Sequence, residues 1–280
     1  MFLKIAVRNI FSYGKRSIIT VLLLACTTAL LVFASAYMDG SHARLIQSSV
    51  EIYPGYVQIT HRGFRDNPSL ENLIFAAGQV SAGLQDFPGI SVFAARFESF
   101  VLFSSTDKAV GAMFTAIEPE KETGISRLSA SLKQGSYLAS ADNALVYLGS
   151  ELARRLKVGV GDQLAFVGTG ADYSFAADTL TVKGIFQTGL FDFDSRASFV
   201  AKPYFDRVMA AQNYATHFIV QPVRPEEAET LAGAIGARLG PEYEAAAWQQ
   251  TMAGLVQAMR VDSIFGYITL AIIFIVIFLW

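Results

Sequence analysis

One uninterrupted apolar run near the start of this sequence restricts its fold more than any other feature. Residues Ile18 to Met38 carry no charged side chain over 21 positions. As an α-helix they would extend about 31 Å, which matches the roughly 30 Å hydrocarbon core of a bilayer. A cleavable signal peptide is the alternative, but its apolar part is only about 7 to 15 residues long. The run therefore predicts a transmembrane helix over residues 18–38.

A second uncharged run, Ser263 to Trp280, closes the sequence. Its 18 residues predict a second transmembrane helix over residues 263–280, either short or truncated by the end of the chain. The two runs help to explain why 52% of all residues are hydrophobic and only 16% are charged, against roughly 25% charged in soluble proteins. This composition indicates a membrane protein and argues against a disordered chain or an ordinary cytosolic enzyme.

The charges around the first run predict its orientation. Four basic residues and no acidic residue precede it, and Asp39 follows it directly. By the positive-inside rule the N-terminus is cytoplasmic, so residues 1–17 are predicted to be a cytoplasmic interfacial segment on the inner leaflet, and residues 39–262 an extracytoplasmic region. All 24 acidic residues lie in that region, which is therefore net negative and offers no nucleic-acid-binding surface.

The extracytoplasmic region has strand and helix patterns of two kinds. A strand–helix–strand–strand pattern whose helix stops near Pro88, followed by a strand–helix–strand pattern whose helix begins at Pro225, predicts a ferredoxin-like α+β domain. Residues 39–123 and 202–247 would form this domain. Between them, residues 124–201 contain short strands that alternate with glycine and aspartate turns, which predicts an inserted, mainly β subdomain.

An apolar seam precedes the second run. Its side chains recur at steps of four, three and four residues, at Trp248, Met252, Leu255 and Met259. No break signal precedes Ile264, so one helix is predicted to run from the domain into the bilayer, with residues 248–262 as a stalk. Its partner would be the helix that continues from Met38 through Leu45 and Ile46. A core helix followed by an unrelated span is the alternative.

The sequence contains no motif for catalysis or for a cofactor. It lacks a Walker A motif and the HExxH, GxSxG and CxxC motifs, and Cys26 is its one cysteine. Asp192 and Asp194 form an acidic turn without the further oxygen ligands of a calcium loop. Residues 118–122, with the sequence EPEKE, are predicted to be a solvated linker. We therefore expect neither enzyme activity, nor a metal, nor a cofactor.

Two aromatic residues in the same acidic turn are candidates for a contact with cargo or with a partner. Phe191 and Phe193 lie in an otherwise polar loop, where exposed apolar side chains often mark an interaction site. Packing of both rings into the core is the alternative.

An ordered set of short motifs resembles one family of transport proteins. Its densest part joins Leu148-Gly149, Gly161-Asp162 and Gly184-Ile185-Phe186. The other motifs are Ala6 to Ile10, Gly55 to Ile59, Arg96, Ile117 to Glu122, Gly135 to Leu138 and Trp248. This set covers the whole chain and resembles the permeases of ABC transporters of the MacB/FtsX type, in particular the lipoprotein-releasing permeases.

The resemblance implies an α+β membrane protein with a transmembrane helix at each end. The extracytoplasmic part would be a porter domain, residues 39–123 and 202–247, with a β insert called the sabre, residues 124–201. Such permeases have four spans, so the chain resembles their N-terminal half. The resemblance further implies a non-catalytic subunit in the inner membrane, an ABC ATPase on a separate chain, and pairing with a second permease copy or a homologue.

The lipoprotein-releasing members imply a cargo. In them, lipoproteins enter between the first two spans of paired permeases and pass to a periplasmic carrier. The resemblance therefore implies extraction of lipoproteins or other lipidated cargo from the bilayer. Between Phe166 and Leu180, where one such permease has its carrier-docking hairpin, this chain is expected to have only a short polar connection. A MacB-like efflux or FtsX-like regulatory permease and a two-span extracytoplasmic ligand sensor are the alternatives.

Overall fold

The computed structural model describes residues 14–279, and these residues form two compact units. The first unit contains the residues up to Gln47 and those from Ala253 onward, and the second contains Ser48 to Met252. Most of the predicted cytoplasmic segment, residues 1–13, lies outside the described residues. The second unit is shorter at both ends than the predicted region 39–262, because the flanking residues belong to the two long helices of the first unit.

The described residues form the following helices and strands. In chain order they are α1 (Gly14–Val50), β1 (Val57–His61), α2 (Ala77–Leu84), β2 (Ile90–Ser104), β3 (Ala109–Ile117), α3 (Pro119–Glu122), β4 (Leu132–Gly135), β5 (Leu145–Gly149), α4 (Ser150–Leu156), β6 (Gln163–Thr169), β7 (Phe175–Phe186), α5 (Phe191–Asp194), β8 (Ala197–Ala201), α6 (Lys202–Val208), β9 (His217–Pro222), α7 (Ala228–Leu239), β10 (Tyr243–Ala247), α8 (Trp248–Thr251) and α9 (Ala253–Leu279). Short 3₁₀ turns cover Leu70–Asn72 and Pro225–Glu227.

Among residues 14–279, two helices are long and apolar enough to cross a membrane, Ser17–Val50 within α1 and Ala253–Val276 within α9. Both predicted transmembrane runs overlap these helices. α1 continues from the end of its apolar run at Met38 to Val50, which is roughly 18 Å further along the axis. The hydrocarbon core of a bilayer is too thin for the whole of α1, so its polar C-terminal part extends beyond that core.

The predicted continuous helix from residue 248 into the second span is wrong. α8 ends at Thr251, Met252 has φ −119° and ψ 43°, and α9 begins at Ala253. Trp248 is held in the sheet unit, where its amide donates a hydrogen bond to the Tyr56 carbonyl at 2.8 Å. Gly254 has open space around it and weakens helix formation at the break. Residues 248–262 are therefore not one stalk helix.

The second unit begins and ends in a four-stranded antiparallel sheet with the order β10-β1-β9-β2. α2 and α7 pack on this sheet through buried apolar side chains. Gly236 of α7 lies over Ala245 of β10, so α7 covers the face that carries Ala245 and its cross-strand partner Ile59. Tyr53 and Glu122 contact the opposite face.

A larger mixed sheet continues from the same strand β2. Residues 97–104 of β2 pair with β3, and the order then runs through β8, β5, β7 and β4, with β6 paired to β2 and β7. The core of this part is aromatic: Phe103, Phe114 and Phe166 pack with ring centroids 4.6 to 6.4 Å apart. α4 and α6 complete the core with Leu152 and Phe205, which are fully buried.

The sheet partners of β2 show that the boundary between the two parts of the second unit differs from the boundary that the sequence predicts. The predicted border at residue 124 assigns all of β2 and β3 to the α+β part. In the structure β3 pairs with β8, and the second half of β2 pairs with β3 and β6. Periodicity identifies these strands but carries no information about which partner each half of a 15-residue strand selects.

We expect Gly149→Ala to destabilise the second unit. A Cβ at this position would lie 2.2 Å from the backbone oxygen of Asp194, and backbone atoms cannot move aside as a side chain can. Such overpacking costs typically about 1–3 kcal/mol. Thermal unfolding of the detergent-solubilised chain, followed by near-UV circular dichroism, measures the loss.

Gly233→Ala is the matched control, because Gly233 lies in α7 with no atom within 4 Å of an added Cβ. Alanine favours the helix over glycine by roughly 0.5–1 kcal/mol, so the control should unfold at an equal or higher temperature. Equal unfolding temperatures for Gly149→Ala and the unmodified chain would refute the proposed backbone clash.

Candidate functional site

The two long helices of the first unit meet side by side. His42 Nε2 lies 2.9 Å from Asp262 Oδ2, and a Cβ on Gly266 would lie 2.6 Å from the Met38 sulfur. As the position on α1 advances from 38 to 42, its partner on α9 retreats from 266 to 262. The helices are therefore antiparallel, as two consecutive spans of one bilayer must be.

The same contacts align the polar ends of the two apolar runs. Met38 ends the first run and Asp262 immediately precedes the second. Because the His42–Asp262 contact lies one turn outside the Met38–Gly266 contact, both helices change from polar to apolar at the same level. Along the apolar runs, side chains such as Leu22, Phe33 and Phe274 are more than half exposed. This distribution matches two helices that enter one membrane together.

The structure divides the predicted apolar seam between the two units. Leu255 and Met259 lie on the less exposed stripe of α9, and Ile46 lies on the corresponding stripe of α1. Leu45 is 43% exposed. Trp248 and Met252 belong to the second unit, where Trp248 is buried. On α9 the less exposed stripe continues through Ser263, Gly266, Leu270 and Ile273.

The two candidate contact aromatics of α5 have different environments. Phe191 is 63% exposed. Phe193 packs against Tyr53 and Phe199, with ring centroids 5.3 and 6.2 Å away, in a cluster with Phe186. Phe191 is therefore accessible to a partner, whereas most of the Phe193 ring is used in packing.

Asp194 of the same turn has a structural role. Its buried carboxylate accepts hydrogen bonds from the Thr188 amide and hydroxyl and from the Gly189 amide, at 2.7 to 3.4 Å. These bonds use the oxygens that a cation would need. Among the described residues there is no group of histidine, cysteine, aspartate and glutamate side chains that could hold a metal ion.

A buried ion pair lies where β2 passes from one sheet to the other. Arg96 and Glu122 are both fully buried. The guanidinium donates through Nε to Oε2 of Glu122 at 3.1 Å and through Nη2 to Oε1 at 2.5 Å. Nη1 donates to the Tyr53 carbonyl at 2.7 Å, and the tyrosine ring lies 4.1 Å from the guanidinium carbon. The prediction of a solvated linker is thus wrong at Glu122.

Further polar groups surround this pair. The Tyr53 hydroxyl donates to Glu98, and His217 Nε2 lies 3.9 Å from the same carboxylate. Burial raises the pKa of Tyr53 well above its ordinary value, and Glu98 raises it further. Burial lowers the pKa of His217, which outweighs the opposing effect of Glu98, so this histidine is neutral at pH 7. Burial alone would lower the pKa of Arg96, but Glu122 and Tyr53 raise it.

Sequence reasoning missed the partners in the His42–Asp262 contact and in the Arg96–Glu122 pair. His42 and Asp262 are 220 positions apart, and Arg96 and Glu122 are 26 positions apart in different elements. No local pattern links such residues. The one available signal is the arginine itself, because Arg96 interrupts an apolar strand and a buried arginine requires an anionic partner.

Sequence reasoning also missed an apolar sheet face on β2, β6 and β7. Phe100, Leu102, Val167 and Phe175 project from it and are exposed. The signal was present, because the continuous apolar run of residues 100–103 is typical of a strand whose two faces are both apolar. We call this surface the outer apolar face.

The expected short polar connection between Phe166 and Leu180 is instead part of a β-hairpin. β6 and β7 pair antiparallel from Gln163↔Thr181 to Thr169↔Phe175. The turn lies against the end of α6, since the Ala171 amide donates to the Met209 carbonyl at 2.7 Å. The hairpin thus belongs to the mixed sheet and carries one edge of the outer apolar face.

Comparison with known proteins gives one family match. Residues 17–238 match the family model described as the MacB-like periplasmic core domain. No curated protein matches the chain.

Solved structures of similar fold include the periplasmic region of MacB from Actinobacillus actinomycetemcomitans. It has a TM-score of 0.52 and 14% identity, over 76% of this chain and 95% of that one. The extracellular domain of the noncanonic ABC-type transporter YknZ from Gram-positive bacteria has a TM-score of 0.47 and 12% identity, over 68% of this chain and 98% of that one. At such identities, the match to the MacB region supports the fold alone.

Arg96→Met is expected to lower the free energy of unfolding by about 3–5 kcal/mol, because it leaves the Glu122 carboxylate buried without a counter-charge. The double variant Arg96→Met/Glu122→Leu removes both charges and should recover most of that loss. Chemical denaturation of the detergent-solubilised chain measures both.

Arg154→Met is the control, since Arg154 forms an exposed pair with Glu151 at 2.7 Å, and such pairs contribute about 0–1 kcal/mol. A cost for Arg96→Met no larger than this control would show that the buried pair does not hold the two sheets together.

Proposed function

Because the chain belongs to the MacB-like periplasmic core domain family, the extracytoplasmic module of ABC permeases of the MacB/FtsX type, we propose that it couples ATP hydrolysis by a partner to movement outside the membrane. The chain itself would be a non-catalytic subunit in the inner membrane with its N-terminus in the cytoplasm, and it would pair with a second permease copy or a homologue. The basic residues before the first span support that orientation.

The observation that carries this proposal is the antiparallel helix pair. α1 leads into the sheet unit after Gln47, and α9 leaves it at Ala253. The unit is thus attached to the membrane by both ends of its chain. A shift of one helix against the other in the bilayer would displace one attachment relative to the other. Such a shift is a recognised way to transmit a conformational change over distance.

The sheet order supports finer assignments within the second unit. β10-β1-β9-β2 with α2 and α7 has the order and direction of a ferredoxin-like unit, which we assign as the porter part. The mixed sheet between its second and third strands would then be the sabre. This assignment moves the second half of β2 and all of β3 into the sabre.

Lipoproteins or other lipidated molecules are the cargo that we propose. The exposed apolar side chains along residues 18–38 and 264–276 would accept acyl chains within the bilayer. Phe191 and the outer apolar face are candidate contacts for a protein partner such as a second permease or a periplasmic carrier. A MacB-like efflux permease and an FtsX-like regulatory permease remain the alternatives within the family, and a two-span ligand sensor is the alternative outside it.

Depletion of this protein in its native cell should leave outer-membrane lipoproteins in the inner membrane. We expect at least a tenfold rise in their inner-membrane fraction, measured by membrane fractionation and immunoblotting. A non-lipidated outer-membrane protein serves as the control and should keep its location.

Correct localisation of the lipoproteins after depletion would contradict this cargo. Affinity purification then separates the alternatives, because an efflux permease should bring a periplasmic adaptor and a regulatory permease a periplasmic hydrolase. All three permease functions require an ABC ATPase in the complex. A complex that lacks an ATPase would favour the sensor.

Covalent linkage of α1 to α9 is expected to stop transport. In a Cys26→Ser background, His42→Cys with Asp262→Cys places one thiol on each helix at the level of the native 2.9 Å contact. A bis-maleimide with a disulfide in its spacer should link them and lower ATP-driven cargo release at least tenfold, and reduction of that spacer should restore it. The readout is release from proteoliposomes that contain the assembled transporter.

The control is Leu45→Cys with Val261→Cys, both exposed positions near the same level. These thiols should link poorly and leave release unchanged. Full release by the linked His42→Cys/Asp262→Cys protein would refute relative motion of these two helices.

A further inference from the structure

The face of the four-stranded sheet opposite α7 carries a row of polar side chains. Glu244, Thr60, His217 and Arg96 are successive cross-strand partners on β10, β1, β9 and β2. With strands about 4.8 Å apart, the row is roughly 14 Å long. One end is closed by Arg65, whose Nη1 lies 3.2 Å from Glu244, and the other by the Arg96–Glu122 pair. A row of four polar side chains on one covered face of a sheet is not explained by packing alone.

A cavity of about 500 Å³ lies over the middle of this row, within the second unit. Its polar walls include Thr60, Arg65, Glu98 and His217, and its apolar walls include Phe64. This volume is within the roughly 300–1,000 Å³ range of small-molecule sites, and a mainly apolar lining with a few convergent polar groups is typical of them.

Two polar atoms in the cavity wall have no hydrogen-bond partner among the described residues. The Thr60 hydroxyl is buried, with the residue 4% exposed, and Arg65 Nη2 is buried even though Nη1 pairs with Glu244. Buried polar groups are nearly always hydrogen-bonded, so two such atoms in one cavity suggest a ligand that bonds to both. Both can donate, and they therefore suit an acceptor such as a carbonyl oxygen.

Other groups that line the cavity present acceptors. The Thr216 hydroxyl donates to the Arg96 carbonyl at 3.1 Å and accepts from the Glu98 amide at 3.2 Å. With its proton on the Arg96 carbonyl, this hydroxyl can accept the 2.9 Å contact from His217 Nδ1. In that neutral tautomer His217 has a free lone pair on Nε2. His217 Nε2 and the Glu98 carboxylate thus accept together.

Charge balance indicates the sign of the ligand. Arg65 is paired with Glu244 and Arg96 with Glu122, and His217 is neutral. The Glu98 carboxylate accepts a hydrogen bond from the Tyr53 hydroxyl, and no lysine or arginine of the described residues lies within salt-bridge distance of it. One negative charge is left over, so a ligand with one positive charge is favoured.

We propose that this cavity binds the free amino terminus of a peptide. Its ammonium group would donate to Glu98 and to His217 Nε2. The first carbonyl oxygen would accept from the Thr60 hydroxyl and Arg65 Nη2, and the first side chain would lie on Phe64. This site is independent of the proposed transport of lipidated cargo, and it can be tested without any partner subunit.

The test is isothermal titration calorimetry of the full chain in lipid nanodiscs with the tripeptide amide Ala-Leu-Ala-NH₂. The N-acetylated tripeptide is the matched ligand, because it keeps the shape and loses the charge. We expect saturable binding of the free amine and at least tenfold weaker binding of the acetylated form. Equal affinities of the two peptides would overturn the proposal. The absence of saturable binding of the free amine at concentrations up to about 10 mM would also overturn it.

Two variants and one control assign the contacts. Glu98→Gln can still accept from Tyr53 and should weaken binding at least tenfold. Thr60→Val replaces an unpaired hydroxyl by a methyl group, so it should fold normally and weaken binding by roughly threefold to tenfold. Ser69→Ala is the control, because the Ser69 hydroxyl is also buried and unpaired but does not line the cavity. Unchanged affinity in both Glu98→Gln and Thr60→Val would overturn the site.

Discussion

The buried charge of Arg96 is the constraint around which the second unit is organised. A guanidinium without solvent is tolerated only with an anionic partner and with its remaining donors satisfied. Glu122 and the Tyr53 carbonyl meet both needs, and they come from segments on either side of β2. β2 also changes its sheet partners at residue 96. The Arg96–Glu122 pair therefore joins the start of the mixed sheet to the four-stranded sheet.

Rigidity of that kind suits a unit that is attached to a membrane by both chain ends. Movement at one helix is transmitted only if the intervening sheets do not absorb it, and close-packed aromatic cores resist such deformation. Between α8 and α9 the backbone at Met252 is not helical. The His42–Asp262 contact marks the level at which both helices become polar.

Local patterns predicted a large part of this fold. The apolar runs locate both long helices, and alternation and proline signals locate strands such as β1 and β3 and the helix α7. The family, recognised from ordered short motifs, is confirmed by the match over residues 17–238. The predictions failed where a neighbour distant in sequence decides the outcome. Glu122 looked solvated because its cation is on the strand β2, 26 positions away. The hairpin of β6 and β7 looked like a polar loop because β2, which pairs with β6, and the covering helix α6 are remote in sequence.

Sequence alone determined which segments are apolar enough to enter a bilayer and how the chain is divided around them, because burial of a continuous uncharged helix depends only on local composition and length. Tertiary structure decided which residues face each other. It ended the predicted stalk at Met252, paired His42 with Asp262, and aligned Thr60, His217 and Arg96 across three strands. Cross-strand register and helix contacts join residues that are far apart in the chain, so their energies appear only when the whole unit is folded.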